Sequence, residues 1–243
     1  MCPNCSNEVP LDSTFCPSCG KPTIQESTEP VNAFEVLNPS LLYYFGTLII
    51  LGLFKLTGIF PAGFSGMVWI NAINVLIVIG FWLKFSDDLR GLYSIKNIEL
   101  SIIGSVVIGA IAGGFLVSIV ANFIQVTIND DVFYNYYLFQ DTASPKLFAI
   151  IFICVQPAIF EEVAFRGFLF NNIGAITSPQ TAVYVTSILF GVLHLSFISL
   201  IWLVPIGLVF ALLRKRYGTL WYGMIGHFCY NFTVISIEYF QLL

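Results

Sequence analysis

Long apolar runs separated by short polar stretches fill the chain from about residue 40 to its end, whereas the first 39 residues have none. A helix needs about 20 mostly apolar residues to cross roughly 30 Å of hydrocarbon. Windows of that kind fall near 41–60, 67–85, 100–125, 146–171, 179–196, 197–214 and 219–240. The pattern predicts an all-α polytopic membrane protein, a bundle of about seven transmembrane helices with the lipid bilayer as solvent. Its expected organisation is a cysteine-rich head over 1–20, a flexible linker over 21–39 rich in Pro, Ser, Thr and Glu, and a helical domain over 40–243.

Composition sharpens this picture. Of 243 residues, 57% are apolar and only 10% charged, against roughly 25% charged in soluble domains. From Gly167 to Leu213 there is no Asp, Glu, Lys or Arg, so no soluble surface is built from that stretch. A net charge of -4 without a basic cluster excludes nucleic acid as an expected partner. Alternation from a cytosolic N-terminus puts Lys21, Lys84, Arg90, Lys96, Arg214, Lys215 and Arg216 inside and only Lys146 outside. That bias is the positive-inside rule, and it predicts a multi-pass protein of the cell membrane with a cytosolic N-terminus.

The head holds Cys2, Cys5, Cys16 and Cys19, two CxxC knuckles ten residues apart. Four thiolates so spaced suit the tetrahedral preference of a structural zinc ion, without which so small a core could hardly fold. A disulfide reading would require export, and neither a basic n-region nor an apolar h-region precedes the cysteines. A cytosolic zinc ribbon is therefore expected, with a cytosolic protein as its possible partner.

Ionisable side chains at a bilayer centre cost about 2.5–3.5 kcal/mol each, so those inside the helices are functional suspects. The fourth window reads Glu161-Glu162-Val-Ala-Phe165-Arg166, the fifth Phe190-Gly-Val-Leu-His194 and the seventh His227-Phe-Cys-Tyr-Asn231. Glu162 and Arg166 are four apart with the acid first, the favourable order for an ion pair along a helix. Glu161 lies about 100° round the helix from Glu162, free to act on water as a general base. His227 and Asn231, also four apart, present hydrogen-bond donors suited to an oxyanion. Pro157 removes the N–H that would bond the carbonyl of Ile153, and a kink is expected there. Lys55, inside the first window, has no evident partner. Counted from the cytosolic ends, Glu161 and His227 lie roughly 12–15 Å deep and His194 roughly 22 Å deep, a mismatch for groups meant to meet.

The motifs EExxxR, FxxxH and HxxxN, in that order on successive hydrophobic segments over about 146–240, resemble the CPBP family of CAAX-processing and bacteriocin-processing proteases, which includes the Ras-converting CAAX prenyl endopeptidase. The resemblance implies an intramembrane endopeptidase acting on a membrane-associated peptide or protein, CAAX-like or small and hydrophobic. It implies that Glu161 and His194 position and deprotonate a water, that His227 and Asn231 donate to the oxyanion, and that Glu162 and Arg166 hold the site in shape. A catalytic zinc on Glu161, His194 and His227 is the less favoured version. The competing expectation is a non-catalytic membrane adaptor or regulator whose polar residues only tie helices together and whose ribbon recruits a cytosolic partner.

Overall fold

In hydrocarbon every backbone N–H and C=O must be satisfied within the chain, which selects helices. The computed structural model describes residue 7 and residues 32–57, 61, 63–95, 98–127 and 135–242, and among the described residues all regular structure is helical. The chain divides into two compact units, Met1–Ala33 and Phe34–Leu243. Cys2, Cys5, Cys16 and Cys19 and most of the expected linker lie outside the described residues.

The long helices are α1 (Ala33–Thr57), α2 (Phe64–Lys84), α3 (Leu100–Thr127), α4 (Pro145–Ile176), α5 (Pro179–Leu193), α6 (Leu200–Tyr217) and α7 (Trp221–Phe240). By length and apolar composition α1, α2, α3 and α4 each suffice to cross a membrane. α5 has 15 residues, about 22 Å at 1.5 Å per residue, so it reaches only part of the way. The fifth and sixth apolar windows adjoin without a polar break, but the chain bends between them. Leu195 adopts φ 51°, a left-handed conformation that ends a helix for any residue forced into it. α6 stops at Gly218, φ 66°, whose N–H bonds Arg214 O in the manner of a left-handed cap.

The first helix starts at Ala33, ahead of the apolar window, because Leu37 continues its inner face and packs on Phe170, Ile173, Ala182, Val183 and Ala211. Buried Ser40 on α1 accepts a hydrogen bond from Asn172 Nδ2 at 3.0 Å. The main core gathers around the middle of α4, where Val163, Ala164, Phe165, Phe168 and Leu169 meet Tyr43, Val78, Phe190, Leu193 and Met224. Phe168 sits edge-on to Tyr43 and stacks on Phe81, with centroids 4.9 and 5.3 Å away. Leu56, Leu76, Leu100, Ile108 and Phe123 are largely exposed, as expected of side chains that face lipid.

One end of the bundle is tied by polar contacts. Arg214 donates to Arg166 O at 3.1 Å and to Asn171 Oδ1 at 2.9 Å, and Lys215 donates to Gln180 Oε1. Arg214 thus ties the last turn of α6 to the second half of α4, and Lys215 ties it to the start of α5. At the other end Glu238 accepts from Asn135 Nδ2 and Tyr136 N–H and fastens α7 to the 135–139 turn.

Candidate active site

The acidic doublet sits in the most irregular part of α4. Two π-helical stretches, Ile150–Val155 and Val163–Leu169, flank the α-helical turns Gln156–Glu162. Wider π turns inside a helix recur at functional sites, and here the first comes just ahead of Pro157, whose missing N–H cannot serve Ile153. The Ile153 carbonyl instead accepts from Asn231 Nδ2 of α7 at 2.7 Å. The break foreseen at Pro157 is thus a widened helix with an external donor.

Glu162 and Arg166 form the ion pair that their spacing foretells. Arg166 Nη1 donates to Glu162 Oε1 at 3.0 Å with both side chains wholly buried, and Nη2 donates to Gly207 O at 3.0 Å. The guanidinium carbon lies 4.6, 5.6 and 5.9 Å from the ring centres of Phe190, Phe210 and Phe165. Burial of a charge is tolerable only with such pairing, and the ring faces add cation–π attraction. His227 joins the same carboxylate, its Nδ1 3.2 Å from Glu162 Oε1, and its ring stacks on Phe210. Gly223, one turn before His227, leaves space for the second oxygen: a methyl there would come within 2.5 Å of Glu162 Oε2. Gly223→Ala is expected to push the carboxylate off Arg166 and destabilise the protein by about 1–3 kcal/mol, read as a lower unfolding midpoint in detergent.

Glu161 points the other way. Its Oε2 is buried without a hydrogen-bond partner among the described residues and lies 3.9 Å from His227 Nε2. His227 therefore stands between the two acids, one ring nitrogen toward each. On its far side Glu161 lines two cavities of about 590 and 600 Å³. His194 lines both cavities as well, and Asn231 lines the larger. Glu162, Arg166 and His227 stand behind that wall.

The position of the helix ends removes the mismatch in depth. α4 runs on to Ile176, past the end of the fourth apolar window, and α5 starts at Pro179 on the other side of the Thr177–Ser178 turn. Counted from that turn at 1.5 Å per residue, Glu161 lies about 22 Å deep, and so does His194, the residue after α5. Its Nδ1 lies 2.9 Å from Phe190 O, one turn earlier. A carbonyl only accepts, so that nitrogen carries the proton and Nε2 is left as an acceptor. Asn231 Nδ2 likewise spends one N–H on Ile153 O and keeps the other.

A metal at this centre would need converging donors. Among the described residues no three His, Cys, Asp or Glu side chains are arranged to hold an ion. Beyond the motifs quoted from the sequence, the Gly207 carbonyl, Phe210 and Gly223 belong to the site. The first two have no sequence signal; Gly223 stands on the His227 face of α7, four residues ahead, which is a signal in retrospect.

An all-helical membrane protein whose helices bring a free carboxylate, an imidazole and an amide to one cavity wall has the equipment of a hydrolase. Residues 142–233 match the family described as type II CAAX prenyl endopeptidase Rce1-like, and residues 1–23 match the zinc-ribbon domain. The Rce1-like match spans Glu161, Glu162, Arg166, His194, His227 and Asn231. No curated protein and no solved structure matches it.

Proposed function

We propose that the protein is an intramembrane endopeptidase that hydrolyses a peptide bond of a membrane-associated substrate with water activated by Glu161 and His194. The supporting observation is the buried, unpartnered Glu161 Oε2 on a wall shared with His194. A carboxylate left without a partner in a dry protein is costly, and a water held between it and His194 Nε2 relieves that cost. Glu161 takes a proton from the water as it attacks the carbonyl carbon, with His194 Nε2 accepting the water's second hydrogen bond.

Charge then passes from Glu161 to the oxyanion. The spare N–H of Asn231 donates to it, and such a donor contributes about 10²–10³ in rate. His227 stays behind the wall, its Nε2 3.9 Å from Glu161 Oε2, and backs the carboxyl group that moves the proton. Glu161 returns its proton to the departing amine. Glu162 and Arg166 touch no reacting atom; they fix His227 from behind. The family description favours a CAAX-type substrate whose lipid anchor keeps it in the bilayer, and the basic bias of the loops favours a cytosolic N-terminus.

The head is proposed to hold one structural zinc on Cys2, Cys5, Cys16 and Cys19, and to recruit a cytosolic protein. The test uses full-length protein in phospholipid vesicles with prenylated and unprenylated peptides ending in a CAAX sequence. Cleavage of either type before and after chelation is followed by mass spectrometry, with released zinc counted by a dye. Chelation is expected to release about one zinc per chain, since four thiolates make one tetrahedral site, while cleavage persists. Loss of cleavage that zinc alone restores would overturn the metal-free reading, and no cleavage of any peptide would favour the adaptor.

A further inference from the structure

α3 is apolar for most of its 28 residues, yet toward its C-terminal end it carries Ser118, Asn122 and Gln125. Spacings of four and three put all three on one helix face, and that face lines the 600 Å³ cavity on whose wall Glu161, His194 and Asn231 stand. Phe115, Ile119, Phe123 and Val126 cover the other side of the same turns and are exposed. One side of α3 suits lipid; the other does not. Ser118 Oγ is buried without a hydrogen-bond partner among the described residues, a cost that a polar ligand or water relieves and hydrocarbon does not. The 640 Å³ groove between α3 and α6 makes the contrast. Its lining is apolar but for Ser105, Trp202, Tyr217 and Tyr230, and Ser105 Oγ is satisfied by Ser101 O at 3.0 Å.

Register turns the stripe into a ladder. α3 packs along α7 in the same direction: a methyl on Gly226 would meet Val106 at 3.0 Å, and one on Gly114 would meet Thr233 at 2.9 Å. Ser118, four residues past Gly114, is therefore level with Ile237 and Glu238, and Asn122 and Gln125 stand about one and two turns beyond. Glu238 and Asn231 line the same cavity and carry polar groups from that level down toward Glu161. Gln125 to Ser118 and Glu238 to Asn231 are each two helical turns, so the rungs descend about 21 Å in all. The top of the ladder lies at the end of the bundle opposite Arg214.

We infer that this cavity is a water channel, which admits solvent at the Gln125 end and leads it past Asn122, Ser118, Glu238 and Asn231 to Glu161. At about 30 Å³ per molecule it holds on the order of 20 waters. Amide and hydroxyl side chains both donate and accept, so a chain of waters is held along α3 without a fixed charge on that helix. The consequence rests on the endopeptidase reading: each bond hydrolysed consumes one water, and the ladder replaces it from this side.

Solvent in the cavity is measurable without cleavage, which keeps this inference separable from the proteolytic one. Asn122→Cys, Val234→Cys, Phe123→Cys and Phe232→Cys are made singly in the full-length chain and reconstituted in phospholipid vesicles. A charged, water-soluble methanethiosulfonate is supplied on both faces, and mass spectrometry locates and times the modification. The thiolate is the nucleophile, and it forms where water reaches. Asn122 and Val234 line the cavity, whereas Phe123 and Phe232 are exposed on the outside of the bundle. Asn122→Cys is expected to react at least tenfold faster than Phe123→Cys, and Val234→Cys at least tenfold faster than Phe232→Cys. The pairs sit on different helices, so a folding failure in one, seen as a lowered melting midpoint, leaves the other to decide. Adding Ser118→Leu with Asn122→Leu to the Val234→Cys protein should slow its modification at least tenfold and lower kcat for peptide cleavage by a similar factor, with KM unchanged. Equal rates within a folded pair, a Val234→Cys rate that the leucines leave unchanged, or cleavage undiminished by them would overturn the channel. Rate ratios as expected in a protein that cleaves no peptide would support the channel and count against the proteolytic reading alone.

Discussion

Arg166→Met is expected to destabilise the folded protein by about 3–5 kcal/mol, the usual cost of removing one partner from a buried ion pair. The reason is what remains rather than what is lost. Glu162 would keep a wholly buried carboxylate with only His227 at 3.2 Å, and the Gly207 carbonyl would lose its donor. The double change Glu162→Leu with Arg166→Met removes both charges and should recover a substantial part of the loss, because no unpaired ion is left behind. Reversible unfolding of purified protein in detergent measures both. A single change as mild as the double one would contradict the tight pairing. Activity is expected to fall in each: the double change removes the carboxylate that holds His227 Nδ1, and the single change removes the guanidinium that fixes that carboxylate.

Glu161→Gln is expected to behave in the opposite way. General base catalysis contributes about 10²–10⁴ in rate, and glutamine cannot take the proton, so turnover should fall by that factor or more. The melting midpoint should stay within a degree or two of wild type, because Oε2 forms no hydrogen bond that the amide would forfeit. That contrast separates an enzyme from a structural network: a carboxylate kept only to tie helices would cost stability when changed.

The sequence reveals the chemistry of the site more fully than its shape. The Glu162–Arg166 pair is legible because helical neighbours four apart are near each other whatever the tertiary fold, and it occurs at 3.0 Å. Pro157 was equally legible as a break. Its resolution was not, because the donor that serves Ile153 comes from Asn231, 78 residues onward, and a long-range partner leaves no local trace. The same holds for Lys55, whose Nζ donates to Leu195 O at 2.7 Å.

The expected difference in depth between Glu161 and His194 failed for a different reason. The count for Glu161 began at the end of the apolar window near residue 171, whereas α4 continues through Asn171, Asn172 and Gly174 to Ile176, and polar residues in the last turns of a helix hide its end. The shortness of α5 was hidden because apolar residues run on through Leu195 and Phe197; only the left-handed turn, a backbone property, marks its end. The sorting of polar residues into a cavity wall of Glu161, His194 and Asn231 and a buried support of Glu162, Arg166 and His227 was likewise invisible. Helical period says that Glu161 and Glu162 point apart, not which of them meets open space.

The most direct test compares membranes of cells that produce wild-type protein with cells that produce Glu161→Gln at equal abundance, scoring new peptide termini by mass spectrometry. The account predicts at least one membrane-associated protein or peptide with a new terminus in the wild-type cells and none of that kind with Glu161→Gln. Identical sets of termini in the two, with both proteins folded, would contradict it.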